Sequence, residues 1–200
     1  MNHARRRIGW LLLSIILAVA IVGPILYRQY AVKRDIHTAF SIYSGIRPNY
    51  NMNVPVSYSF VPWEEDAYPA TGRFSSSTEY FRNTMTNHLL QGCNYGIFAL
   101  SGMPPCWEED PAAFTSNHNA WCVVLDYDPH RLPDAPFMFS RNLDIQRLSE
   151  AHPDRLRNVV PYGRKGVLIV MADGTAKFIR PSDIIDVFIQ PGLTNAVLRP

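Results

Sequence analysis

Residues 8–27 read IGWLLLSIILAVAIVGPILY, without one charged side chain. At about 1.5 Å of rise per residue, a helix of this length covers roughly 30 Å, the hydrocarbon thickness of a bilayer. A helix on a soluble core needs a polar face, and this run has none. Trp10 and Tyr27 stand near its two ends, where amphipathic rings favour a membrane–water interface. The stretch therefore predicts a single transmembrane helix over residues 8–27, with residues 1–7 as a basic cytoplasmic leader. Leu11, Leu12, Leu13, Ile15, Ile16, Leu17, Val19, Ile21 and Val22 are the expected packing positions, against a lipid bilayer or like helices. A cleavable secretory signal competes with this reading, because Ala18-Val-Ala20 has the small residues of a cleavage site. Apolar residues continue through Leu26, beyond what a cleaved signal needs.

The flanks set topology and continuation. Arg5, Arg6 and Arg7 precede the run, and Arg28, Lys33 and Arg34 follow it, so charge bias alone is weak. The very short N-terminal tail makes an N-in orientation the simpler one. That places the rest of the chain outside the cytoplasmic (inner) membrane, on the periplasmic side. Gly23-Pro24 predicts a kink, which membrane helices tolerate. Residues 28–47 keep helical character as an amphipathic continuation, with Ile36, Phe40 and Tyr43 at i, i+4, i+7 as its apolar stripe. Gly45 and Pro48 mark its end.

Hydrophobic residues make up 47% of the chain, enough to build a core in the remaining residues, 48–200. A net charge of +2 with the excess held in the first seven positions argues against nucleic acid as a partner. With 16 prolines and 11 glycines, short elements and many loops are expected. Residues 49–74 read as loop with a short strand at 56–61. SSSTEYFRNTMTNHLLQG opens with Ser76 and Glu79 at capping-box spacing and reads as a helix stopped by Gly92. NAWCVVLD (119–126) is a buried strand. PFMFSRN (136–142) is a second, with Phe137 and Phe139 on one face. Residues 143–156 read as a short helix. GVLIVMADGTAKFI gives a strand over 166–172, an Asp173-Gly174 two-residue turn and a return strand over 175–179. Residues 184–189 add a short last element. The sum is an α+β fold: a long N-terminal helix packed on one apolar face of a C-terminal antiparallel sheet of three to five strands.

At this point the motifs bear a family likeness. The basic start, Gly9, the apolar helix turning amphipathic, and the strings SSSTEYF, NAWCVVLD, PFMFSRN and VMADGTAKFI resemble the type IV pilin and type II secretion pseudopilin family. The likeness covers residues 75–180 and, more loosely, the N-terminus. It implies a pilin-like fold, no enzymatic activity, and a structural subunit that associates with other pilin-like subunits through its N-terminal helix. It also implies processing between Gly9 and Trp10. Two departures stand out: the family follows its glycine with Phe or Met, and Ser14 occupies the position of the family's glutamate. That glutamate is thought to pair with a neighbour's N-terminal amine inside the filament, and a buried charge needs such a partner. Ser14 cannot supply one.

Other residues carry weaker signals. Cys93 and Cys106 flank a Gly- and Pro-containing segment and are candidates for a loop disulfide in an oxidising compartment; Cys122, in an apolar run, reads as a buried thiol. Asp126, Asp128 and Asp134 share a turn-rich loop and could ligate Ca²⁺, although Asp also serves simply to start turns. His118 and His130 sit in no nucleophile motif, and no GxSxG or phosphate loop occurs. Trp63 and Trp107 each precede an acidic run (Glu64-Glu65-Asp66 and Glu108-Glu109-Asp110). Each run reads first as a solvated loop tip and each tryptophan as a plug onto the core. The alternative is an exposed aromatic surface on a membrane-tethered domain that binds a polysaccharide or a protein.

Overall fold

The computed structural model describes residues 2–46, 71–86, 90, 93–126 and 134–200, with side chains from Ile16 onward. The expected strand at 56–61, the Gly92 stop, Trp63 with its acidic run, Asp128 and His130 lie outside those residues. Two compact units are present, Met1–Asp35 and Ile36–Pro200.

Helix α1 (Asn2–Ile46) supplies all of the first unit and continues into the second, with Pro24 and Gly45 inside it. In the second unit it is followed by α2 (Ser77–Thr86), β1 (Trp121–Val124), β2 (Pro136–Ser140), β3 (Val167–Met171), β4 (Ala176–Ile179), α3 (Ile184–Phe188) and β5 (Val197–Leu198). The five strands form one antiparallel sheet in the order β4-β3-β2-β1-β5. The α+β class and the antiparallel sheet are thus present. The C-terminal β5, only two residues long, pairs with β1 through Val123↔Leu198 and Val124↔Val197.

Every residue of β1, β2 and β3 is buried, because both faces of the sheet are covered. Trp121, Val123, Met138, Leu168 and Val170 share one core with Ala39, Ile42 and Ile46 of α1 and with Tyr80 and Phe81 of α2. Cys122, Val124, Phe139, Val167 and Ile169 form the second core with Leu143, Ile145, Leu148 and α3's Ile184 and Phe188. The single apolar face expected from the sequence is corrected to two. Uninterrupted apolar strands are the mark of a sheet buried on both sides.

Three local expectations also change. The α1 stripe runs through Ala39, Ile42 and Ile46, with Ile36 and Tyr43 at its margins, while Phe40 is 52% exposed. Phe137 and Phe139 lie in different cores, because the β2–β3 register slips between Pro136 and Met138 and a bulge reverses which face a side chain takes. The 143–156 segment is two short 3-10 turns, Leu148–Glu150 and Pro153–Arg155, closed by a Leu143↔Leu156 bridge. Pro153 lacks the N–H that a continuous helix needs.

The β3–β4 hairpin is present with a different turn. Gly174 N–H donates to Met171 C=O at 3.0 Å and Met171 N–H to Thr175 C=O at 2.8 Å, so the turn centres on Ala172-Asp173 and Gly174 follows in the left-handed region at φ +90°. The Asp173 carboxylate accepts from the Thr175 N–H and hydroxyl. Tyr43 covers the tip: its hydroxyl donates to the Ala172 carbonyl, and a Cβ at Gly174 would lie 2.8 Å from its ring. Glycine is required there on both counts.

Candidate functional site

The first unit carries the most distinctive surface. Ile16, Leu17, Val19, Ile21, Val22, Ile25 and Leu26 are all exposed, at 47–65%. At about 3.6 residues per turn they point in every direction around α1. Tyr27 and Tyr30 follow at 74% and 67%. Among the described residues one helix, close to the N-terminus, is long and apolar enough to cross a membrane. The backbone at Gly9–Trp10 and at Leu11, Leu12, Leu13 and Ile15 is helical within α1; their side chains lie outside the described set.

Helix α2 is placed by its first turn. The Glu79 N–H donates to Ser76 Oγ, while the Glu79 carboxylate accepts from the N–H and hydroxyl of Ser75 at 2.7 and 2.6 Å. The expected capping box therefore closes one residue further back. Those bonds favour the ionised form and hold Glu79 below the usual carboxylate range. Beneath the cap, Asn119 donates to Ser77 Oγ and Thr78 Oγ1 and accepts the Trp121 N–H at 3.0 Å, while Ser77 donates to the Trp121 carbonyl. This buried set locks α2 to β1. Trp121 is core, as its strand position implies.

A second buried polar set lies at the same end of the sheet, where Ser140 of β2 pairs with Trp121 of β1. Asn142 Nδ2 donates to the carbonyls of Gly163 at 2.7 Å and Gly166 at 2.8 Å. Its Oδ1 accepts from Ser140 at 2.7 Å, and Ser140 Oγ accepts the Leu168 N–H at 3.0 Å. Nearby, Asp144 receives Arg157 and Arg199, both at 2.6 Å, which pins the C-terminal segment.

No family model, curated protein or solved structure matches this chain.

Asp126 uses its carboxylate to hold Thr71, whose N–H donates at 2.8 Å and whose hydroxyl donates to the other oxygen. Asp134 is exposed, and its backbone carbonyl accepts from Gln190. Among the described residues no three His, Cys, Asp or Glu side chains are grouped to hold a metal. All three cysteines are free thiols: Cys93 is exposed, while Cys106 and Cys122 are buried. The expected Cys93–Cys106 bridge is therefore not formed here. Burial pushes the Cys122 thiol up to about 12, in keeping with a packing role.

An open cleft of about 440 Å³ is lined by Met85, Thr86, Cys93, Asn94, Tyr95, Glu109 and Pro111. Burial raises Tyr95 above the ordinary phenol range. The Glu108-Glu109-Asp110 run is solvated, and Asp110 caps a short turn by accepting the Ala112 N–H. Trp107 is 69% exposed, not plugged into the core, with its ring edge over Gly96. His118 accepts the Thr115 N–H within its own loop. Sequence reading missed the Asn119 and Asn142 sets, since an asparagine beside apolar residues looks the same in sequence whether buried or in a turn.

Proposed function

We propose that this chain is a non-catalytic, membrane-anchored subunit of a pilin-like assembly, of the pseudopilin kind found in type II secretion and type IV pilus machinery. Residues 8–27 would cross the cytoplasmic membrane with the N-terminus inside. The α+β unit would stand in the periplasm. The observation that supports this most is the belt of exposed apolar side chains from Ile16 to Leu26. Apolar surface in water costs about 25 cal/mol per Å², so such a belt is stable only against lipid tails or like helices. A helix whose later turns, Ala39 to Ile46, seat a sheet is also the arrangement that a shared spine requires. Ser14 in place of a glutamate suits a position, such as a filament tip, where no neighbouring amine must be neutralised.

Mass spectrometry of the chain purified from membranes tests the reading. A mature N-terminus at Trp10, with N-methylation, supports a pilin-like subunit. An intact Met1 argues for a plain tether, and a start beyond Ala20 defeats both. The tether reading has one observation in its favour, the exposed Trp107. In that case the domain would hold a polysaccharide or protein through that ring, and binding on a glycan array would be lost in Trp107→Ala.

A further inference from the structure

The chemistry along α1 changes in a fixed order. Exposed aliphatic side chains end at Leu26; Tyr27 and Tyr30 follow; Lys33 and Arg34 come next, both exposed, with Arg28 between the tyrosines. Tyr27, Tyr30 and Arg34 recur at intervals of three and four residues, with Lys33 beside them, so the two rings and two cations share one side of the helix. From Tyr27 to Arg34 the axis advances about 10 Å, enough to cross the headgroup zone of one bilayer leaflet. No acidic residue occurs before Asp35. Asp35 is buried and bonded to Arg34 at 3.2 Å, so the carboxylate nearest this face is withdrawn from solvent.

We propose that Tyr27, Arg28, Tyr30, Lys33 and Arg34 form a collar that binds the phosphate headgroups of anionic phospholipids. The order aliphatic, phenol, cation matches hydrocarbon, interface and phosphate. Tyrosine rings seat at the interface, and cations beside an anionic surface gain from each charge. The collar rests on the membrane-anchor reading and adds a lipid preference to it. It would fix the depth of the helix and hold the chain in anionic regions of the membrane.

The test reconstitutes the full chain into vesicles of phosphatidylcholine alone and of phosphatidylcholine with phosphatidylglycerol, each with a trace of spin-labelled lipid. The variant is Arg28→Gln with Lys33→Gln, which leaves the Arg34–Asp35 pair intact. Arg5, Arg6 and Arg7 are kept, so only the difference from wild type reads the collar. The wild type should hold spin-labelled phosphatidylglycerol over phosphatidylcholine. The variant should lose that preference by roughly fivefold per cation removed. Added salt should weaken the wild-type preference, and Arg28→Lys with Lys33→Arg should retain it. Equal preference in wild type and variant, with normal incorporation of both, overturns the collar and leaves the anchor standing. Failure of the wild type to incorporate into either vesicle overturns the anchor and the collar together.

Discussion

Asn142→Ala is the substitution that most sharply tests how the sheet is held. Asn142 is fully buried and makes three hydrogen bonds, to Gly163, Gly166 and Ser140, at 2.7–2.8 Å. Each is worth about 1 kcal/mol net, and the buried Gly166 carbonyl and the half-buried Gly163 carbonyl would lose this donor. One carbonyl opens the short turn that delivers β3 and the other follows it, and Ser140, freed of its acceptor, also receives the Leu168 N–H. The expected loss is therefore about 3–4 kcal/mol. For a folded unit of this size that corresponds to a fall in Tm of roughly 6–16 °C. Thermal melting followed by near-UV circular dichroism, on the full chain in mild detergent, reads the change through Trp121 in the adjoining strand. Ser140→Ala should cost less, about 1–3 kcal/mol, because one N–H loses its acceptor. The double variant should cost less than the sum of the two, as groups in one network do not add. A single Asn142→Ala variant melting within about 2 °C of wild type would mean that these bonds do not hold β2 to β3.

Three further outcomes follow from the packing and the charges. Ile42→Ala should destabilise the Ile36–Pro200 unit by about 2–5 kcal/mol, while Phe40→Ala, on the exposed side of the same helix, should change it by no more than about 0.5 kcal/mol; denaturant midpoints compare them. Iodoacetamide at pH 8 should label Cys93 rapidly and spare Cys122, whose thiol stays protonated near neutral pH and lies in the core, with peptide mapping as the readout. The folded pKa of Glu79 is depressed, so its contribution to stability is full above the ordinary carboxylate range and is lost as pH falls through the lowered value. Glu79→Gln should flatten that acid limb of the stability–pH curve, measured between pH 6 and 2.

What could be read from sequence was whatever depends on a run of like residues. The charge-free stretch at 8–27 announced α1, and NAWCVVLD and GVLIVMADGTAKFI announced β1 and the β3–β4 hairpin, because each is long enough for pattern to outweigh chance. What could not be read depends on one residue of register or on partners distant in sequence. A bulge between Pro136 and Met138 put Phe137 and Phe139 on opposite faces. The Ile36, Phe40, Tyr43 spacing was helical, but so was the Ala39, Ile42, Ile46 spacing, and only contact with the sheet selects between them. The two-residue β5 has no pattern of its own and exists because β1 offers it an edge. Asn119 and Asn142 draw their meaning from Ser77, Gly163 and Gly166, far along the chain. For the surface features, the helix belt was visible as composition, whereas the exposure of Trp107 was not.

Alkaline carbonate extraction of membranes from cells making the full chain reports whether residues 8–27 hold it in the bilayer. The chain should remain in the pellet, be released by detergent alone, and retain residues 10–27 when its mature N-terminus is determined. Recovery in the soluble fraction without detergent, or a mature product that starts beyond Ala20, would contradict a membrane-held helix.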